Sequence, residues 1–235
     1  LEEVANANSL TGNRGAHEMN GVPYFVIAGR LYSMAADFTL TFIGEIAGDT
    51  RVSMADNGTQ LLVLVPNGNG YIYNHVADTF AQITDSDFTA NGNPQLVVYI
   101  DGFFCLTTDS KKFIVSALND GLSYNALDFG TAESDPDEIV APIVFKNQLF
   151  IGGSQTIEAF QNIGGADFPF QRTGLFLSKG IASPFSIQSL QGTFVFIGSG
   201  QNESPAIWAF EGNDAVKIST TAIDKELSNL TQDQV

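Results

Sequence analysis

The sequence contains short apolar runs that occur in pairs, and a turn rich in Gly, Asn or Asp separates the two runs of each pair. Short runs with many β-branched and aromatic side chains are typical of β-strands, and two runs joined by such a turn are typical of a hairpin. The sequence predicts turns at Gly29-Arg30, through 67–70 and at Asp101-Gly102, and Asn-Gly and Asp-Gly pairs readily adopt the positive φ of tight hairpins. Five pairs can be aligned: 24–27 with 31–34, 61–65 with 71–73, 96–100 with 103–106, 143–145 with 149–151, and 194–197 with 206–210. The pattern predicts an all-β fold.

The spacing of these pairs predicts a repeated β-architecture. The first runs begin at positions 24, 61, 96, 143 and 194, which gives intervals of 37, 35, 47 and 51 residues. Repeats of about 40 to 50 residues with several strands each are typical of β-propeller blades. The runs are continuous rather than alternating, which indicates strands buried on both faces, as in stacked blades. We therefore expect residues 1–235 to form a single β-propeller domain of about five blades, with a β-sandwich or β-barrel as the alternative.

Charge limits the partners that the chain can have. Its 26 Asp and Glu outnumber its 10 Lys and Arg, and the formal net charge is −16. Duplex binding needs clustered basic residues, and an anionic membrane attracts basic ones, whereas the basic residues here are scattered. No apolar run approaches the roughly 20 residues that cross a bilayer. We expect neither sequence-specific nucleic-acid binding nor a membrane partner.

The beginning of the sequence indicates a fragment or a processed product. The first residue is Leu1 rather than Met, and residues 1–4 lack the positive start and the apolar stretch of a signal peptide.

Few residues suggest catalysis. His17 and His75 are too few for a histidine-rich metal site, and we interpret both as surface or turn residues. Cys105 lies inside an apolar run, which favours a small buried side chain over a nucleophile. The segments 152–154 and 198–200 lack the rest of a nucleophile or phosphate-loop motif, so we interpret both as turns.

The carboxylates present candidate cation sites without a recognised loop pattern. Asp135, Asp137 and Glu138 lie together, and Asp85 and Asp87 form a spaced pair. Calcium takes several carboxylate oxygens, but the spacing of a known calcium loop is missing, so solvated acidic loops are the favoured interpretation. We predict no catalytic residues, no cofactor and no metal site, and hence no enzyme.

Three N-glycosylation sequons occur, and they matter only in a secretory setting. They begin at Asn57, Asn202 and Asn229.

Motifs shared with a known protein family occur in segments 29–32, 48–55, 132–137, 156–158, 168–170, 179–181 and 218–223. Through these segments the sequence resembles the tail hub proteins of short-tailed phages, also called packaged-DNA stabilisation proteins. The similarity covers most of the chain, and its motifs are structural rather than catalytic.

The resemblance implies a structural virion protein, made in the bacterial host cytoplasm and located in the phage tail. It implies a homo-oligomeric ring that helps retain packaged DNA and connects the portal-side adaptor to distal tail parts, with the tail needle and tailspike as further partners. Family members are longer, so an incomplete six-bladed ring is the alternative to five complete blades.

Two functions follow from the sequence. For a tail hub, binding depends on buried aromatic or Arg anchors, and the four Arg residues are Arg14, Arg30, Arg51 and Arg172. The acidic excess then keeps DNA from adhering during ejection.

The alternative is a carbohydrate-binding or glycan-cleaving β-propeller. Glycosidases use a pair of catalytic carboxylates, and with 26 acidic residues the sequence neither supports nor excludes such a pair. The sequence identifies no interface residue in either case.

Overall fold

The fold consists of antiparallel β-sheets. A computed structural model describes residues 12–132, 138–165 and 168–230, and within these ranges the chain forms twenty strands in five four-stranded sheets. In every sheet the strands are adjacent in the same order as in the sequence. The sequence therefore forms five successive meanders, and the predicted all-β class is confirmed.

The strand bounds are as follows. The first sheet contains β1 Asn13–Met19, β2 Val22–Ile27, β3 Arg30–Met34 and β4 Leu40–Glu45. The second contains β5 Ser53–Asp56, β6 Gln60–Leu64, β7 Gly70–Asn74 and β8 Thr79–Gln82. The third contains β9 Pro94–Ile100, β10 Phe103–Thr108, β11 Lys112–Ala117 and β12 Asp120–Thr131. The fourth contains β13 Ile139–Phe145, β14 Gln148–Gly153, β15 Ile157–Asn162 and β16 Phe170–Leu177. The fifth contains β17 Ile187–Leu190, β18 Thr193–Gly198, β19 Ala206–Glu211 and β20 Asp214–Lys217.

All five predicted run pairs are adjacent antiparallel strands, but they do not occupy equivalent places. In the first, second and fifth sheets the pair is the second and third strand, whereas in the third and fourth it is the first and second. The second strands begin at residues 22, 60, 103, 148 and 193, which are intervals of 38, 43, 45 and 45. The repeat is therefore more regular than the apolar runs indicated.

The tight turns follow the predicted chemistry with one correction. Asp101 and Gly102 have φ of 51° and 92°, as a two-residue hairpin with a right-handed twist requires. The turn between β2 and β3 was expected at Gly29-Arg30, but it consists of Ala28, with φ of 50°, and Gly29. Arg30 instead begins β3, because it pairs with Ile27 and Glu45 on its two neighbouring strands.

The aromatic residues make much of the core. Phe194 and Phe210 stack with ring centroids 4.8 Å apart, and Phe150 of the fourth sheet lies 5.1 Å from Phe194. In the first two sheets, the core is mostly aliphatic and includes the buried Tyr24 and Tyr71. Burial of these side chains is the main force that holds the fourth sheet to the fifth and the first sheet to the second.

One short α-helix follows the fifth sheet. Helix α1, Thr221–Leu227, lies in the polar tail, where the sequence indicated no strand. The Thr220 hydroxyl accepts the backbone N–H of Ile223, which is the usual start of a helix. A 3₁₀ turn, Ser86–Thr89, precedes the third sheet.

The chain divides into two compact units. The first extends to residue 106 and includes 115–126, and the second contains 107–114 and the chain from 127 onward. Among the described residues, no helix is long and apolar enough to cross a membrane.

Candidate interaction surfaces

The first compact unit has two chemically different ends. In a meander, the turns after the first and third strands lie at one end of the sheet, and the turn after the second lies at the other. We call the end that carries the turns after the first and third strands the hairpin end of the first unit. It includes Asn20-Gly21, 35–39, 57–59, 75–78, Asp101-Gly102 and 118–119. Polar contacts connect these turns from sheet to sheet.

Both histidines connect the first sheet to the second. His17 on β1 lies with Nε2 2.7 Å from Asp56 Oδ2 on β5. His75 Nε2 lies 3.2 Å from Nδ2 of Asn20, in the turn after β1, and both side chains contact the Gly58 carbonyl oxygen, at 2.9 and 2.7 Å. The two residues interpreted as surface or turn residues therefore stabilise the packing of neighbouring hairpins.

A glutamine connects the second sheet to the third. The Gln60 side-chain oxygen accepts the backbone N–H of Gly121 at 2.8 Å, and its amide donates to Asp120 at 3.4 Å. Gln60 is 9% exposed, so this paired amide fixes the hairpin that contains Gly121.

The hairpin end of the first unit is acidic. No Lys or Arg occurs at this end among the described residues of the unit, whose Arg residues all lie at the opposite end. Three tyrosines near this end have raised pKa values: burial, followed by the hydrogen bond to Asp78, raises the pKa of Tyr73 to about 12, and burial raises the pKa of Tyr24 and Tyr99. The six carboxylates at this end are Glu18, Asp37, Asp56, Asp78, Asp101 and Asp120.

Arg14 stabilises the opposite end and is not an exposed anchor. It is 5% exposed, and burial lowers the pKa of its guanidinium. Nε donates to Thr50 O at 2.7 Å, Nη1 to Ala28 O and Ile46 O at 2.8 and 3.1 Å, and Nη2 to Ala47 O at 3.0 Å. A cavity of about 750 Å³ lies beside it. Because its guanidinium already donates to four carbonyl oxygens, Arg14 has little remaining capacity to hydrogen-bond to a partner protein.

The other three Arg residues are more accessible. Arg51 is exposed, and Arg30 is partly exposed with its guanidinium 5.6 Å from the Phe42 ring centre. Arg172 is exposed, lies 3.0 Å from the buried Glu158 carboxylate and donates to Thr131 O. Glu158 is 3% exposed, and Arg172 neutralises its buried charge.

Asp85 and Asp87 bind backbone groups, a role that the sequence did not reveal. Their carboxylates accept the N–H groups of Tyr124 and Ala126 on β12 at 2.9 and 3.1 Å, and Asn91 donates to Ala126 O at 2.8 Å. The N–H groups of Tyr124 and Asp87 lower the pKa of Asp85. The segment therefore covers an edge of the third sheet that would otherwise be free to pair with another strand.

The other candidate sites have structural explanations. Cys105 is 1% exposed, burial raises the pKa of its thiol, and its predicted burial is confirmed. The segments 152–154 and 198–200 are not simply turns, because Gly152 and Gly153 belong to β14 and Gly198 ends β18. A Cβ on Gly198 would lie 1.7 Å from the Gly180 carbonyl oxygen, so a close approach of two backbones explains that glycine.

The remaining acidic and sequon positions add no site. Asp135 and Asp137 lie outside the described residues, and Glu138 is exposed. Across 12–132, 138–165 and 168–230, no group of three or more His, Cys, Asp or Glu could hold a metal ion.

The Asn residues of the three sequons occupy turns or the end of the described chain. The Asn57 side chain accepts the N–H groups of Thr59 and Gln60 within its turn. Asn202 lies in a turn with φ of 60°, and the third sequon ends at Thr231, outside the described residues.

Comparison with known proteins identifies a family. A family model described as bacteriophage P22 Gp10, β-propeller, matches residues 3–235. The chain is 26% identical over 263 residues to the tail hub protein gp10 of Salmonella phage P22, and this match covers all of the chain and 54% of gp10. The chain thus spans about half the length of this relative.

Solved structures agree with the fold alone. The extracellular domain of a one-component system from B. thetaiotaomicron matches 94% of this chain and 30% of its own, with TM-score 0.64 and 10% identity. BamB from Moraxella catarrhalis matches 90% of this chain and 62% of its own, with TM-score 0.61 and 12% identity. The five four-stranded meanders and the family description together confirm the predicted β-propeller class.

Proposed function

Because the chain belongs to the bacteriophage P22 Gp10 β-propeller family, we propose that it is part of a tail hub protein, a structural component of a phage tail that stabilises packaged DNA. The match of the family model over residues 3–235 is the observation that carries this proposal. The protein is then located in the virion tail and is not an enzyme.

The partners of the proposed hub are other tail proteins. A portal-side adaptor, a tail needle and a tailspike are the candidate neighbours, and the hub forms a homo-oligomeric ring. Accessible Arg side chains beside aromatic rings suit such contacts, because Arg and aromatic residues are enriched in the energetically important centres of interfaces. Arg30 beside Phe42 is such a pair, and Arg172 at 5.9 Å from the Phe160 ring centre is a second.

The acidic hairpin end of the first unit suits a protein that works beside DNA without binding it. Six carboxylates without a Lys or Arg at that end repel phosphate, and the repulsion extends over about 8 Å at physiological ionic strength. If this end borders the DNA path, it lets the genome pass without adhering to the protein.

The carbohydrate-binding alternative has less support. A lectin propeller repeats one site in successive blades, but the hairpins that join the first two strands differ here. The turn before β2 is Asn20-Gly21, with φ of 55° and 78°, whereas the turn before β6 contains Asn57 and Gly58, which are fixed by other side-chain contacts. No specific observation favours a sugar site.

Purified phage particles provide the test. Mass spectrometry of particles banded on a density gradient should detect the protein in a constant ratio to the portal protein, and electron microscopy should locate its density in the tail. Its absence from particles that contain the other tail proteins would refute the proposal. A capsid-only particle preparation is the matched control, and it should lack the protein.

A further inference from the structure

The most exposed large apolar side chains of the first unit all lie in one kind of turn. Among the described residues of that unit they are Phe38 at 63%, Val76 at 72% and Leu118 at 63%. Each belongs to the turn that joins the third strand of its sheet to the fourth, namely 35–39, 75–78 and 118–119. We call these three residues the apolar tips, and they occupy equivalent places in three successive sheets.

The turns between the first and second strands at the same hairpin end are polar. They consist of Asn20-Gly21, residues 57–59 and Asp101-Gly102. The first strands of the three sheets adjoin one another, because β1 contacts β5 and β5 contacts β9. In each sheet the fourth strand is the opposite edge. The apolar tips therefore lie toward one margin of the hairpin end of the first unit, away from the adjoining first strands.

Local contacts hold the apolar tips in place. The Asn74 side chain accepts the N–H groups of Val76 and Ala77 at 3.1 and 3.0 Å. Leu118 lies against the neighbouring turn, because a Cβ on Gly102 would be 2.5 Å from Leu118 Cδ1. A side chain on a turn that is already ordered loses less conformational entropy when a partner covers it, which favours binding.

Phe38 has a backbone conformation that is unusual for a large side chain. Its φ is 67°, a region in which Asn, Asp and Gly are common and bulky residues are outliers. The turn keeps this conformation because the Phe38 N–H donates to Ala35 O at 2.9 Å. Since the ring is mostly exposed, burial within the described chain recovers little of the conformational cost. The residue is therefore better explained by a contact outside the chain.

Each apolar tip has a carboxylate close to it in the sequence. The three turns, or the residue directly after them, contain Asp37, Asp78 and Asp120 respectively. Exposed apolar area with a charged rim is typical of protein–protein contact sites. Because the hairpin end of the first unit has no Lys or Arg among its described residues, a cationic partner is complementary to it. Nucleic acid and anionic lipid are repelled.

We propose that the apolar tips dock a partner protein whose surface presents apolar side chains flanked by Lys or Arg. The partner's apolar groups contact Phe38, Val76 and Leu118, and its cations face the adjoining aspartates. A second copy of this chain fits poorly, because its 10 Lys and Arg are scattered among 26 acidic residues. The proposal depends on these side chains alone and is independent of the tail hub function.

Photo-cross-linking in the complete native polypeptide, in the cells that normally produce it, tests the occupant. Benzoylphenylalanine replaces Val76, and Leu127, which is 78% exposed on β12, is the matched control position. The expected result is a cross-link from the first position to a different protein, at a peptide in which Lys or Arg adjoins an apolar residue. A cross-link to the same chain, to a second copy or to lipid would overturn the proposal, as would a yield no higher than that at Leu127.

Apolar variants show whether the three tips act together. Phe38→Ser with Leu118→Ser should lower the cross-link yield from Val76 roughly tenfold, because two of the three apolar contacts are lost. Leu190→Ser with Ile218→Ser, at two exposed positions of the second unit, is the matched control and should leave the yield unchanged. Equal losses for the two pairs would overturn the proposal.

Charge variants test the chemistry of the partner. Asp37→Asn with Asp78→Asn should lower the yield several-fold and make it less sensitive to salt, because cationic groups of the partner lose their counter-charges. Glu211→Gln with Asp214→Asn removes the same charge from exposed positions of the fifth sheet and should have no effect. A yield that is unchanged in the first pair would contradict a cationic partner.

Phe38→Asn separates a docking role from a structural one. Asn adopts a positive φ more readily than Phe, so the melting temperature of the complete polypeptide should stay the same or rise. The cross-link yield from Val76 should nevertheless fall. A lower melting temperature would show that the ring stabilises the fold itself, and either that result or an undiminished yield would overturn the proposal.

Discussion

Replacement of Arg14 by Met should destabilise the first compact unit more than any other substitution of an Arg in that unit. Met retains the aliphatic part of the side chain but removes all four hydrogen bonds to carbonyl oxygens of residues 28, 46, 47 and 50. These oxygens belong to the turn between β2 and β3 and to the segment after β4, so Arg14 fixes both connections to the start of β1.

The magnitude follows from those four bonds. A hydrogen bond to a charged group contributes about 1.5–3 kcal/mol, but water in the adjoining cavity can reach some of the released carbonyl oxygens. The desolvation of the guanidinium, which lowers its pKa, offsets part of the rest. We therefore expect a loss of about 3–5 kcal/mol in the free energy of unfolding.

Urea unfolding followed by circular dichroism measures this loss, and Arg30→Met is the control. Arg30 is partly exposed, and its Phe42 contact at 5.6 Å is worth only about 0.5–1 kcal/mol. Arg14→Lys should recover only part of the stability, because a single ammonium cannot reach four separated acceptors. A loss of under about 1 kcal/mol for Arg14→Met, equal to that of Arg30→Met, would refute the reasoning.

Three further predictions concern the core, an acidic contact and a glycine. Phe194→Ala, which empties a site stacked on Phe210 at 4.8 Å, should cost about 3–5 kcal/mol in urea unfolding, whereas Phe176→Ala at an exposed position should cost under about 1 kcal/mol. The pKa of Asp85 is lowered in the folded protein, so its carboxylate stabilises the fold above the unfolded pKa of about 3.9, and this stabilisation is lost as pH falls through the folded pKa. Asp85→Asn should therefore flatten the dependence of unfolding free energy on pH below about pH 4. An unchanged pH dependence would contradict this. Gly198→Ala should lower the melting temperature, because its Cβ meets a backbone oxygen at 1.7 Å, and an unchanged melting temperature would show that the two backbones can separate freely.

The inner strands were predictable because their signal is local. Runs such as 61–65 and 194–197 contain their own apolar pattern, and turns such as Asp101-Gly102 contain their own φ preference. The outermost strands were not predictable in this way. β8, for example, has three exposed residues among its four, so its sequence has no apolar pattern, and its pairing with β7 is what makes it a strand.

The polar contacts were less predictable than the strands, because they join residues far apart in the sequence. His17 and Asp56 are 39 residues apart, and Gln60 and Gly121 are 61 apart, yet each pair meets at a hairpin end. Only the packing of neighbouring sheets brings them together. Asp85 and Asp87 resembled a weak cation site for the same reason: their backbone partners on β12 cannot be identified from spacing alone.

The proposed tail hub function implies that the protein helps a phage particle to keep its genome. The most direct measurement is the DNA content per particle, by quantitative PCR and sedimentation, in phage whose gene for this protein carries a nonsense mutation. Particles grown in a suppressor host, which restores the protein, are the control. The proposed function predicts that mutant heads fill with DNA and then lose it. Mutant particles that retain a full genome as stably as the control would contradict it.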